Sequence, residues 1–301
     1  MNQATLPLRH LLLGLAVVAV WGTNFVVIHR GLEALPPLLF AALRFVFVAF
    51  PAVLVLPRPR VPWRQLAAYA ILIGAGQFGL LFVAMRSEIS PGLASLVIQA
   101  QVFFTIGLAM RLSGETVRPF QWVALALGLA GLLVILTHTD GTTTPLGLAL
   151  VLLAALSWAG GNTVARRGGV TNMLPYVAWA GLFSAPPLLA LSLLLEGPAA
   201  IARGLAAADA GTWAAVAWQS VGNTLFGYAA WGWLLSRHPA ALVTPLALLV
   251  PVFGMGASAW ILGEPLPFWK VGAALLVLSG LVLGLLYPRW QARAGARSQR
   301  G

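Results

Sequence analysis

Trp21 and Asn24 stand three residues apart in this chain, and Trp158 and Asn162 stand four apart. On a helix either spacing puts the indole and the amide on one face. An Asn amide has two donors and two acceptor lone pairs, which suits an amino or a carboxylate group. An indole adds apolar surface and a cation–π face for an ammonium group. Such residues hold a small molecule without reacting with it. The plainer role is helix–helix glue, since Asn often bonds between buried helices.

Other residues share this character. Ser95, Gln99 and Phe103 follow one another at four-residue steps and form one stripe. Gln101 falls about 160° round the helix from Gln99, so the two do not share a face. Gln77 and Asn223 are polar residues inside apolar runs, and Trp231 follows Tyr228 at a three-residue step. Arg44 is the ionisable residue that lies well inside an apolar run. Two roles suit it: an anchor snorkelling to the nearer surface, paired with Glu33 or Glu88, or a point of attraction for a carboxylate. Pro245 and Pro251 interrupt a helix, giving a gating bend or a static kink.

The chain has no cysteine, and its seven acidic residues and four histidines fall in connections or at the ends of apolar runs. That pattern excludes thiol chemistry and leaves no nucleophile–base set or metal-ligand cluster within the runs. No enzyme, cofactor or metal is expected. It also leaves no mid-run carboxylate to relay protons. The expectation is a uniport-like carrier, or one coupled without a buried acid.

The elements that must position these residues follow from composition. Hydrophobic residues make up 60% of 301 positions and charged residues 8%. A soluble domain carries about 25% charged residues. The mean hydropathy of +0.90 agrees that lipid is the solvent. An all-α integral membrane protein is expected, because backbone groups in lipid must bond internally. Runs of about 20 apolar residues fall at 10–28, 38–56, 65–85, 92–111, 119–137, 145–164, 173–194, 212–235, 240–262 and 269–287. The first is too long for a signal peptide's apolar region and has similar runs after it.

Charge orients these ten spans. One set of connections holds Arg9, Arg58, Arg60, Arg64, Arg111, Arg118, Arg166, Arg167, Arg237, Arg289, Arg293, Arg297 and Arg300. The other holds Arg30, Arg86, Arg203 and Lys270. The bias puts the first set, and both termini, in the cytoplasm. The net charge of +11 is thereby an orientation signal beside a bilayer rather than a nucleic-acid surface. Tryptophans at 63, 122, 213, 260, 269 and 290 sit near span ends, as an interfacial belt does.

The chain also resembles itself. WGTNFVVIHRG from Trp21 matches WAGGNTVARRG from Trp158 at its Trp, second Arg and final Gly. Gly114–Glu115 lies over Gly263–Glu264, and Gly131 over Gly280. Gly76 to Arg86 lies over Gly227 to Arg237, which sets Gln77 against Tyr228. Two five-span halves are implied, at 1–137 and 138–288, with a basic tail at 289–301. Five is odd, so the second half enters the membrane inverted. Inverted repeats are typical of carriers that alternate between two openings. Ala124, Gly128 and Gly131, with Gly280 and Gly284, offer small faces that hold the halves together.

The Trp-x-x-Asn of the first span, Leu43–Arg44–Phe45, Pro91–Gly92–Leu93–Ala94–Ser95 and the two Gly–Glu turns resemble the EamA branch of the drug/metabolite transporter superfamily. WGTNFVVIHRG, PPLLFAALRF and GLASLVIQAQVFFT resemble bacterial exporters of O-acetylserine and cysteine, and more loosely of other amino acids. The resemblance implies ten helices in the bacterial inner membrane, cytoplasmic termini and export of small metabolites, most simply amino acids or derivatives, by alternating access; a monomer is expected. A multidrug or other metabolite exporter of the same superfamily is the alternative. Against a cation–proton exchanger, the first span holds Trp21 and Asn24 where small drug exporters carry a buried Glu.

Overall fold

The computed structural model describes residues 6–113, 119–138, 143–238 and 240–298. Apolar runs of this length satisfy their backbone only by coiling, and the long elements are helical rods. They are α1 (Leu8–Leu32), α2 (Pro37–Val55), α3 (Trp63–Ser87), α5 (Pro119–Thr137), α6 (Pro145–Arg167) and α7 (Met173–Glu196). Rod α4 joins Pro91–Val97, a 3-10 turn at Ile98–Ala100, and Gln101–Ser113. Rod α8 joins Ala210–Ala217, a π-helical stretch at Trp218–Phe226, and Gly227–Arg237. Rod α9 joins Ala240–Val243, a 3-10 stretch at Thr244–Leu249, and Val250–Leu262. Rod α10 is Phe268–Ser298.

Proline, caps and glycine set the ends. Pro37, Pro91 and Pro145 occupy the first turn of their helices, where a missing N–H costs nothing. The Thr144, Asn172 and Asp209 side chains accept from the opening turns of α6, α7 and α8. Gly263 ends α9 at φ 68°, a left-handed conformation that favours glycine. The same turn carries Glu264 back to its partners.

Among the described residues, eight helices are long and apolar enough to cross a membrane. Rods α8 and α10 are not among them. In α8 the middle carries Gln219, Ser220, Asn223 and Thr224, all buried inside the protein. In α10 the apolar stretch is the shorter Phe268–Gly284. Its helix then runs on through most of the segment expected as a tail, in which Ala, Arg and Gln are strong helix formers.

Contacts between rod ends set α1 antiparallel to α8 and α5 antiparallel to α10, with α3 parallel to α1. His10 in α1 meets His238 just after α8, and Phe120 of α5 packs on Tyr287 of α10. At the opposite end Arg86 of α3 donates to the Leu32 carbonyl of α1, and His138 stacks on Trp269. The first end holds Arg9 and Arg237 beside His10 and Arg166 in a cavity mouth, and is called the basic end below.

Small residues let the rods close. A Cβ at Gly131 would lie 2.6 Å from Val277, and one at Gly280 would lie 2.6 Å from the Ala124 carbonyl, so α5 and α10 touch backbone to backbone. Gly22 gives α1 the same closeness to Phe253 and Val250 of α9.

Candidate substrate pathway

The polar centre is built on α8. Its π-helical stretch points Gln219, Ser220, Asn223 and Thr224 inward, and a second π-helical stretch, Leu72–Gly79, carries Gln77 and Phe78 in α3. Such stretches are rare and cluster at functional sites. Arg44 of α2 reaches between them. It is 1% exposed, so it does not snorkel. Nη1 donates to Gln219 Oε1 and Nη2 to Thr224 Oγ1, each at 2.9 Å. The guanidinium lies 3.6 Å over the Phe78 ring. Gln219 passes the chain on, donating at 2.8 Å to Asn24 Oδ1 of α1.

The expected pairing of Arg44 with Glu33 or Glu88 is not found. Glu33 bonds to Arg30 beside it in sequence, and Glu88 accepts from Ser87 and Thr144. Both acids are committed locally, at the rim, while Arg44 turns inward.

One turn further along α8 from Thr224 lies Tyr228. Trp21 of α1 stacks beside Tyr228 and Trp231 with ring centroids 6.1 and 5.2 Å away. Its indole N–H donates to the Asn223 carbonyl at 3.0 Å. Beyond this aromatic group lies a cavity of about 800 Å³, lined by Asn162, Arg166, Asn172, Met173, Tyr228 and Trp231 among others. It reaches the basic end through exposed Thr171 and Ser236.

The other end is tied shut. Glu264, just after α9, accepts from the Ser90 hydroxyl and the Gly92 N–H of α4, and from Lys270 of α10. Glu196, ending α7, accepts from the Leu38 and Leu39 N–H groups of α2. These carboxylates serve as caps for helix N-termini, where negative charge is favoured.

The residues singled out from sequence therefore divide. Asn162, Tyr228 and Trp231 line the cavity, Trp21 packs on Tyr228 and Trp231, and Arg44 and Asn24 are joined through Gln219. Gln77 is buried in the π-helical stretch of α3, and Gln99 is buried in the 3-10 turn of α4. Ser95 bonds to its own Gly92 carbonyl and packs on Gly254. Phe103 packs on Gly128, and Trp158 packs against the apolar core. Pro245 lies in the 3-10 stretch of α9, and Pro251 opens the α-helical stretch after it. Sequence reasoning passed over Gln219 and Thr224, although four polar residues within six positions of an apolar run are a visible signal.

The EamA-like transporter family model matches residues 8–137 and again 145–286. The chain belongs to this family. It is 40% identical over 279 residues to a probable amino-acid metabolite efflux pump of Salmonella typhimurium strain LT2, covering 91% of this chain and 93% of that one. It is 39% identical to a probable amino-acid metabolite efflux pump of Escherichia coli K12, covering 93% and 95%. A crystal structure matches with a TM-score of 0.63 at 21% identity, covering 94% of this chain and 98% of that chain, which bears on the fold alone. The EamA-like chain is thus a multi-pass membrane protein of a transporter family. Chemically the residues around the cavity and the middle of α8 offer aromatic faces, amides and one buried cation.

Proposed function

We propose that the chain exports small amino-acid-like metabolites by alternating access between two inverted halves, as a monomer in the bacterial inner membrane with both termini cytoplasmic. The observation that carries this reading is asymmetry along the pathway. A cavity floored by Tyr228 and Trp231 meets the basic end, while the Glu264 and Glu196 ties close the other. The positive-inside rule makes the basic end cytoplasmic, so this is a state that receives substrate from the cell.

The double family match supports two halves. So does the pattern of packing. Exchanging each rod with the one five places on turns the α1–α8 contact into α6–α3 and the α1–α9 contact into α6–α4, while α2–α7, α4–α9 and α5–α10 map onto themselves. All of these pairs pack together. Ten crossings and an inverted pair account for that pattern. The efflux-pump names of the two relatives support amino-acid metabolites as cargo. Glu196 and Glu264 lie at helix ends, which supports transport without a mid-membrane acid.

The test is uptake of a panel of amino acids into proteoliposomes, with Asn24→Ala and Asn162→Ala alongside. Loss of transport in both variants supports the pathway. Wild-type rates for every compound in both would place the path elsewhere. Uptake strictly dependent on an imposed pH gradient would reject coupling-free transport.

A further inference from the structure

We infer that Arg44 is the receptor for a substrate carboxylate, reached from the cavity when the Trp21–Tyr228–Trp231 group moves aside. The inference rests on the exporter reading above and deepens it to a substrate class: molecules with a free carboxylate.

The first ground is an unbalanced charge. A guanidinium is always protonated, and a buried charge normally finds an opposite partner. Arg44 is 1% exposed and its partners among the described residues are neutral: Gln219, Thr224 and the Phe78 and Phe45 rings. The described acids are engaged elsewhere. Glu33 serves Arg30, Glu88 serves Thr144, Glu196 caps α2, Asp209 caps α8 through Thr212, and Glu264 holds Lys270. Lys270, the other buried cation, shows what a purely structural solution looks like here: a carboxylate at 2.8 Å.

The second ground is an unused donor. Arg44 Nε is buried and makes no hydrogen bond. Nε with a neighbouring Nη forms the fork that holds a carboxylate at two points. An arginine kept only for packing gains nothing from leaving this position open, since an unmade bond at a buried donor is costly.

The third ground is location. Thr224, bonded to Arg44, is one turn from Tyr228 in the cavity floor. Trp21 covers the gap from the α1 side, held by its bond to the Asn223 carbonyl. The two helix stretches that grip the guanidinium, through Phe78 and through Gln219 and Thr224, are both π-helical. A carboxylate on Arg44 would place an adjoining ammonium group near the Trp21 face and the Asn24 amide.

The experiment compares acids with their neutral analogues. L-cysteine and L-phenylalanine are presented to full-length protein in proteoliposomes, each beside its carboxamide. Three proteins are used: wild type, Arg44→Gln and Gln219→Glu. The last puts a carboxylate where Gln219 Oε1 already sits and, with the Asn24 amide turned to donate to its second oxygen, satisfies Arg44 from within and is expected to melt no lower than wild type. Wild type should prefer the acid over the amide by about 10- to 100-fold, the worth of one charge-assisted hydrogen bond. Gln219→Glu should lose that preference while still melting like wild type. Arg44→Gln should lose it too wherever it folds. Equal transport of acid and amide by wild type overturns the inference and leaves the exporter reading standing. So does a Gln219→Glu protein that keeps the wild-type preference. A wild-type protein that moves none of the four compounds removes the exporter reading and the inference with it.

Discussion

Lys270 Nζ lies 2.8 Å from Glu264 Oε1, with side chains 2% and 8% exposed, at the end of the molecule opposite the cavity. The same carboxylate holds Ser90 and the first turn of α4. Removing one partner of a buried pair strands the other, at about 3–5 kcal/mol. Lys270→Met should therefore lower the melting temperature sharply in detergent. Glu264→Gln, whose amide oxygen still accepts, should cost less. The double variant should cost less than the two losses added, because the partners share one interaction. Strict additivity in a melting series would show the pair to be energetically idle.

Glycine substitutions should separate by what a Cβ meets. At Gly280 it meets the Ala124 carbonyl at 2.6 Å, and at Gly131 it meets Val277 at 2.6 Å and the Ala273 carbonyl at 2.9 Å. Backbone cannot swing away, so Ala at either site should cost about 1–3 kcal/mol. At Gly272 nothing lies within 4 Å, and Ala there should be neutral or slightly favourable. Thermal denaturation of the three single variants reads the contrast directly.

His10 and His238 share a hydrogen bond of 2.7 Å between ring nitrogens at the basic end. Trp233, in the cavity wall, stands edge-on to His10 at 5.0 Å, and Arg9 and Arg237 are the neighbouring charges. The bond needs at least one neutral ring, since two imidazolium groups have only donors. Acidification from about pH 8 to about pH 5 should part α1 from the end of α8, because two protonated rings cannot share the bond. The emission component lost in Trp233→Phe should change across that range in wild type and stay level in His10→Gln. A component that titrates unchanged in His10→Gln would dissociate it from this contact.

Phe103 and Trp231 are both aromatic, yet they sit in different surroundings. Phe103 presses on Gly128 of α5, while Trp231 faces the cavity. Phe103→Ala should lower stability by about 3–5 kcal/mol, as loss of a packed aromatic does, and leave the substrate KM unchanged in protein that remains folded. Trp231→Ala should raise KM with a smaller loss of stability. Melting curves and uptake kinetics on the same preparations distinguish the two.

Much of the architecture was legible because hydropathy and turn chemistry act locally. Pro37, Pro91 and Pro145 mark helix starts in the chain and in the fold alike. The small faces of α5 and α10 were readable as close-packing surfaces and are just that. Gln219 was not legible as a partner of Arg44. The two are 175 positions apart, and only the packing of α2 against α8 joins them. Ser95, Gln99 and Phe103 form one stripe in sequence; in the fold a 3-10 turn at Ile98–Ala100 falls between them, Ser95 packs on Gly254 of α9 and Phe103 on Gly128 of α5. Glu264 sits at a helix end, as its position in the chain implies, yet it is buried, because α4 folds its first turn over it.

The sequence by itself determined that lipid is the solvent, that long helices cross it, and how charge divides between the two ends. Those properties depend on composition and on neighbours within a few turns. The tertiary structure alone decided which acids were already committed, and so that Arg44 stands buried among neutral partners beside the cavity floor. Charge balance at one buried site depends on every group the fold brings within bonding distance, and no local pattern in the chain records that distance.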